Sequence, residues 1–282
     1  MLVYVIYLNF LERKSNMSKI NSAIYEIHHM DSLAARNQWV NRIHPLVKLI
    51  ITVFYIAVVV SFSKYNIAGL TGMIIYPVVI FQLGDLSFKD SIRKLRIVLP
   101  LVCFLGIFNP FFDRQIVTNI GGLPITTGIL SMLTLMMKGV FSVLASYLLI
   151  ATTSIEKLCY AMRLLHIPAI IVTQVLLTYR YITVLLEEAN RITQSYTLRA
   201  PNQKGVHFKV WGTLTGQLLL RSMDRAEKLY ESMTLRGYAG EFYYGNKVPC
   251  KGKDYVYLFL WMGLLILLKY IPVITIAGNL FL

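Results

Sequence analysis

The chain has 282 residues, 56% hydrophobic and 15% charged, with a formal net charge of +14. So apolar a composition excludes an ordinary water-soluble globule. In a membrane protein the placement of Lys and Arg reports orientation first, so the positive balance is not read as a nucleic-acid footprint.

At the N-terminus, Met1 to Phe10 is apolar and Glu12-Arg13-Lys14 follows it. That order reverses the charge-first pattern of a signal peptide, and the stretch is too short to span. Met17 is expected to be the natural start, and a short amphipathic helix is expected near Asp31 to Asn41 on the inner membrane face. Residues 1–45 therefore form an N-terminal cytoplasmic or interfacial segment.

Hydropathy then marks four spans within 46–152: Leu46 to Phe62, Ile67 to Leu83, Ile97 to Phe112 and Ile129 to Thr152. A fifth, Tyr255 to Ala277, lies in the final segment, 255–282. Each can cross the hydrocarbon core of roughly 30 Å. Basic residues collect before the first span (Arg36, Arg42, Lys48), between the second and third (Lys89, Arg93, Lys94, Arg96), and from Lys157 to Lys253. Ser63 to Asn66 carries only Lys64, and Asn109 to Gly128 only Arg114. Five spans with the N-terminus inside satisfy every loop.

A sixth apolar stretch, Ile167 to Leu186, falls in the region 153–254. Placing it across the bilayer would export the basic block from Arg191 to Lys253. Its periodicity offers another reading. Val175, Tyr179, Ile182, Leu186, Ala189, Ile192 and Tyr196 recur at helical spacing, with Arg180, Thr183, Glu187, Asn190, Gln194 and Ser195 opposite. An amphipathic helix along or below the inner face is expected.

The next segment repeats the design. Leu219, Met223, Ala226, Tyr230 and Met233 make one stripe, and Arg221, Asp224, Arg225, Glu227, Lys228 and Glu231 the other face. Two such helices, each on the order of 40 Å long, are expected to cross on these apolar sides. Pro201 stops the first, and Gly237 suits the left-handed residue that ends many helices. Arg199 in Leu198-Arg199-Ala200 and Arg236 in Leu235-Arg236-Gly237 thus sit on helix tips. A cation there is also favoured by the helix dipole, so a plain capping charge competes with a docking role.

Sites for chemistry are scarce. No Gly-x-x-x-x-Gly-Lys-Ser/Thr phosphate loop occurs, and Gly121-Gly122-Leu123-Pro124 lacks its lysine, so the chain is not its own ATPase. His28 and His29 point about 100° apart on a helix and cannot chelate one ion from one face. Met132, Met136 and Met137 read as packing, and Lys138 beside them is expected to face protein or to snorkel. Asp113 and Glu156 lack paired carboxylates. Cys103, Cys159 and Cys250 are odd in number and form no disulfide framework. No catalytic residue, metal site or directly bound cofactor is expected.

The stretches Asp31-Ser32-Leu33-Ala34 and His44-Pro45-Leu46-Val47-Lys48 resemble the transmembrane (T) component of energy-coupling factor importers, a branch of the ABC transporters. So do the two arginine tripeptides and the run from Leu220 to Tyr243. Gly240-Glu241-Phe242-Tyr243 looks like the cobalt-transport CbiQ type. The resemblance implies an all-α polytopic helical bundle of about five spans with two long, crossed, amphipathic cytoplasmic coupling helices. It implies a non-catalytic scaffold in the cytoplasmic membrane of a prokaryote. Arg199 and Arg236, with Leu198, Ala200, Leu235 and Gly237, would engage two ABC ATPase subunits that use the ATP, and a separate substrate-binding membrane component would select cobalt ion. The family often has a small residue before each arginine, where this chain has Leu198 and Leu235. The alternatives are a T component shared among vitamin-binding partners, and a self-contained channel or membrane enzyme whose basic insertion binds lipid. Glu187-Glu188-Ala189-Asn190 lacks the glycine of the ATPase-docking loop of ordinary ABC permeases.

Overall fold

The computed structural model describes residues 22–64, 66–86, 91, 100, 104, 106, 108, 116–120, 123–200, 206–240, 242 and 249–270. Expectations for Met1 to Met17, most of the third span, Cys103, Asp113, Gly121-Gly122, Pro201, and the last span beyond Tyr270 lie outside them. In chain order the described helices are 22–34 (α1), Trp39–Arg42 (α2), Pro45–Val60 (α3), Ile67–Gly72 (α4), Ile75–Gly84 (α5), Thr127–Thr152 (α6), Ile155–Leu164 (α7), Ala169–Arg199 (α8), Phe208–Leu235 (α9) and Gly252–Tyr270 (α10). The fold is the expected polytopic helical one. Ile67–Gly84, Thr127–Thr152 and Ala169–Arg199 are each long and apolar enough to cross a membrane, and Pro45–Val60 is a shorter apolar helix. The chain divides into two compact units, Leu33–Ala161 with Asn246–Leu282, and Met1–Ser32 with Met162–Gly245.

In the first of these units α3 packs against both α6 and α10. Pro45 opens α3 at a position where its missing N–H is no loss, and His44 Nδ1 accepts the Leu46 N–H at 3.3 Å. The buried side of α3 runs through Val47, Lys48, Ile51, Thr52, Tyr55, Val58 and Val59. Lys48 belongs to this side because it has work there. Its Nζ donates to the carbonyl of Thr152, the last residue of α6, at 2.8 Å and to Thr153 Oγ1 at 3.2 Å. A cation thereby meets the negative end of α6.

The opposite arrangement holds at the far end of α3. Lys138 of α6 donates from Nζ to the carbonyls of Val60, at 3.0 Å, and Phe62, so this span lysine does face protein. Lys269 of α10 reaches Ser61 Oγ at 3.0 Å. Asp254, buried at the start of α10, accepts the His44 N–H at 3.2 Å and the Lys251 N–H at 2.9 Å. It thus ties the entrances of α3 and α10 together.

The second span, expected as one run from Ile67 to Leu83, is instead two helices parted at Met73-Ile74. Pro77 is the cause: it has no N–H for the carbonyl four residues back, which is that of Met73. The buried Tyr55 hydroxyl donates to that carbonyl at 3.0 Å. Tyr55 also stacks on Tyr76 at 4.5 Å, and Tyr76 meets Trp261 edge-on at 4.9 Å, so an aromatic ladder joins α3, α5 and α10. A close approach elsewhere requires glycine, since a Cβ on Gly69 would lie 2.8 Å from the Phe62 ring. The loop before α6 contains an antiparallel hairpin, Ile116–Ile120 with Leu123–Thr126, which the hydropathy reading left as loop.

In the other unit, Asp31 of α1 accepts the Tyr179 hydroxyl of α8 at 2.6 Å. The apolar stretch expected from Ile167 starts as a helix only after Pro168, following His166 at φ +61°. The backbone turns there because the Ile167 N–H closes on Met162 O at 3.2 Å.

Replacing Tyr55 by Phe should orphan the Met73 carbonyl in an apolar setting and destabilise the protein by about 1–3 kcal/mol. Unfolding in mixed detergent micelles reads this. Adding Pro77→Ala, which restores a backbone donor, should recover most of the loss. A Tyr55→Phe protein as stable as the parent would refute the account.

Candidate functional site

Helices α8 and α9 run antiparallel. Ala189, Ile192 and Thr193 of α8 gather with Trp211, Leu214 and Leu218 of α9, whereas Leu177, Tyr181 and Leu185 gather with Leu229, Tyr230 and Met233. Between these clusters Arg221 pairs with Glu188. At 1.5 Å per residue, Arg199 and Arg236 lie on the order of 16 and 22 Å from that pair, in opposite directions. The spacing read from sequence, two long helices with an arginine at each end, is thus realised as one crossed hairpin with the arginines far apart.

The packing face is the expected one only in part: Ala226, Tyr230 and Met233 lie toward Leu177, Tyr181 and Leu185 of α8. Leu219 and Met223, also expected on this face, are each more than half exposed, while Val210, Leu214, Leu218 and Leu229 are half-buried. One apolar cluster of α9, with Trp211, Leu214 and Leu218, faces Ile192 of α8. Another borders an open groove of about 440 Å³ on the Arg236 side of the crossing, lined by Leu177, Tyr181, Ala226, Tyr230, Met233 and Tyr238.

At the tips the helix-end carbonyls are satisfied by backbone. The Ala200 N–H donates to Tyr196 O at 3.0 Å beyond α8. After α9 the Tyr238 N–H donates to Met233 O at 3.0 Å and the Gly237 N–H to Thr234 O at 2.9 Å, with Gly237 at φ +83°. This is a Schellman closure, which demands the left-handed residue that glycine supplies. Arg236 is the residue between helix and glycine, and both guanidinium groups are exposed and make no ion pair among the described residues. The α9 end is closed without the Arg236 side chain. Beside the two arginines Leu198 is 77% and Leu235 89% exposed, a large apolar group next to each cation.

Sequence reasoning missed the Glu188–Arg221 pair. Its signal was an acid on one polar face and a base on the other, but pairing them requires the register of the crossing. Among the described residues no group of three His, Cys, Asp or Glu gathers to hold a metal. His29 stacks on Tyr25 at 6.1 Å, and Glu156 stands at the start of α7. Cys159 is buried in α7 and Cys250 exposed, and both are free thiols. Burial, then Glu156, raises the Cys159 pKa above the ordinary thiol value; burial, then Asp254, raises that of Cys250.

These features define a class: a polytopic helical membrane protein with a crossed helical hairpin that presents an arginine and a bare leucine at each end. The comparison with known proteins makes it specific. The family described as cobalt transport protein, CbiQ, matches residues 36–244, and the chain belongs to that family. It is 26% identical over 224 residues to the energy-coupling factor transporter transmembrane protein EcfT of Listeria innocua, covering 72% of this chain and 82% of that one. EcfT of Leuconostoc gelidum is 24% identical over 72% of this chain and 80% of its own. The cobalt transport protein CbiQ of Salmonella typhimurium is 28% identical over a shorter stretch, 35% of this chain and 44% of that protein.

Gly237→Ala meets no steric obstacle but forces a side chain into the left-handed region, at about 1 kcal/mol. Hydrogen exchange of the Tyr238 amide should then rise roughly fivefold, and no change would refute the closure. Alkylation of the folded protein should mark Cys250 and spare Cys159. The Cys250 rate should keep climbing with pH beyond the point where an ordinary thiol levels off, because only the thiolate reacts.

Proposed function

We propose that this chain is the non-catalytic membrane coupling subunit of an energy-coupling factor importer, in the cytoplasmic membrane of a prokaryote. The observation that carries this reading is the hairpin with a spare arginine and an exposed leucine at each of two opposite ends. A planar guanidinium can make a bidentate pair with a carboxylate and hold it under load. Two such couplings on one rigid hairpin suit two ATPase subunits, to which ATP binding and hydrolysis belong. Closure of the ATPases would move the tips, and the hairpin would pass that motion to the spans and to a separate substrate-binding membrane component.

The basic residues between Lys157 and Lys253 favour the cytoplasmic side for this hairpin and for the N-terminus. Although α8 is apolar enough by composition to span, crossing there would export that block, so it lies along the inner face in this reading. Cobalt ion is the proposed substrate, supported by the family description and by the name of the Salmonella relative. A coupling subunit shared among several substrate-binding partners is the second reading, favoured by the longer coverage of the EcfT relatives.

Extraction of the tagged chain in mild detergent from its own membranes should bring down ATPase subunits and a small membrane protein. Arg199→Glu or Arg236→Glu should each cut the retained ATPase at least about tenfold. One small membrane partner fits the cobalt reading, and several fit the shared one. ATPase retention indifferent to both substitutions would overturn the docking role.

A further inference from the structure

Arg199 and Arg236 mark two ends of one hairpin whose surroundings differ in charge. At the crossing, Arg221 and Glu188 cancel each other. Toward the Arg199 end, from Ala189 to Leu220, the chain carries Arg191, Arg199, Lys204 and Lys209 and no Asp or Glu. Toward the Arg236 end, Arg180 is balanced by Glu187 on α8. On α9 and just beyond it, Arg225, Lys228 and Arg236 are balanced by Asp224, Glu227 and Glu231. One arm is strongly cationic and the other neutral.

The cationic arm also bears bare apolar groups on both helices, where the other arm has Leu235 at its tip. Leu198-Arg199 closes α8 and Phe208-Lys209 opens α9, so each helix presents an apolar residue followed by a cation where the hairpin turns. Phe208 is 89% exposed and Trp211 58%. A niche of about 100 Å³ lies beside Trp211, between Ile192 and Leu218. Aromatic anchors among uncompensated cations have the composition of an interface with an acidic protein surface. These groups gather at the end of the hairpin, on both helices, and so suit a concave partner that receives the end. A lipid surface would take them from along one side.

We propose that the Arg199 end is an electrostatically recruited docking face for an acid-rimmed groove on one ATPase. Phe208 and Leu198 are its apolar anchors and Lys209 is a second recruiting cation. The Arg236 end, neutral in sum, docks by shape, so the two ATPase positions on this chain are inequivalent. The inference rests on the coupling reading above.

The test uses the full chain in phosphatidylcholine nanodiscs with its own ATPases, the latter identified by mass spectrometry of their phosphate-loop peptides. Binding kinetics are read at low and high salt. Lys209→Glu should slow association about tenfold at roughly 50 mM salt and by only about twofold at 300 mM. Phe208→Ser should speed dissociation about tenfold at both. Lys228→Glu, an exposed charge on the neutral arm, should change either rate less than about threefold. ATPases bound by the native chain with Lys209→Glu and Lys228→Glu alike, or with Phe208→Ser inert, would overturn this inference and leave the coupling reading standing. A Lys209 effect confined to discs containing phosphatidylglycerol would assign the face to lipid and overturn it too. Failure of the native chain to bind any ATPase would overturn both.

Discussion

Backbone carbonyls left over where helices end or break govern the unit built on α3, α6 and α10. The end of α5 is closed by the Asp85 and Leu86 amides, and three other cases are answered by a side chain from another helix. Lys48 of α3 serves the end of α6, Lys138 of α6 serves the end of α3, and Tyr55 serves the carbonyl that Pro77 abandons. An unmet polar group would cost several kcal/mol in hydrocarbon, so these contacts are close to obligatory. They also fix how far each helix slides along its neighbour, which greasy packing alone does poorly.

The hairpin obeys the same accounting with the opposite result. The Gly237 and Tyr238 amides close the end of α9, and the Ala200 amide takes the Tyr196 carbonyl at the end of α8. Arg199 and Arg236 are exposed, each beside a leucine that is exposed as well. Within the bundle a cation on a helix end is structural; at the hairpin tips it is spare. That contrast gives a docking role its physical basis, because a group already spent on its own fold cannot also grip a partner.

Exposure along α9 follows from the same geometry. Leu214 and Leu218 face Ile192 of α8, and Leu229, Tyr230 and Met233 face Leu177 and Leu185. Leu219 and Met223 stay more than half exposed, and Tyr230 borders an open groove, in a protein whose family members carry transporter names. The hairpin is thus polar at its crossing, through Glu188 and Arg221, and apolar with an exposed arginine at each tip.

Much of this was legible in the residues. Apolar run length placed helices at Pro45–Val60 and Thr127–Thr152, and Pro201 and Gly237 announced the ends that set Arg199 and Arg236 on tips. These are local effects, settled by composition and by backbone chemistry within a turn or two. The break at Met73-Ile74 was readable in Pro77, but its tolerance came from Tyr55, a residue of another helix. Which apolar residues of α9 pack, which carboxylate Arg221 meets and which carbonyl takes Lys48 were decided by tertiary structure alone. Each depends on the register between segments distant in sequence, and helical periodicity is silent about register.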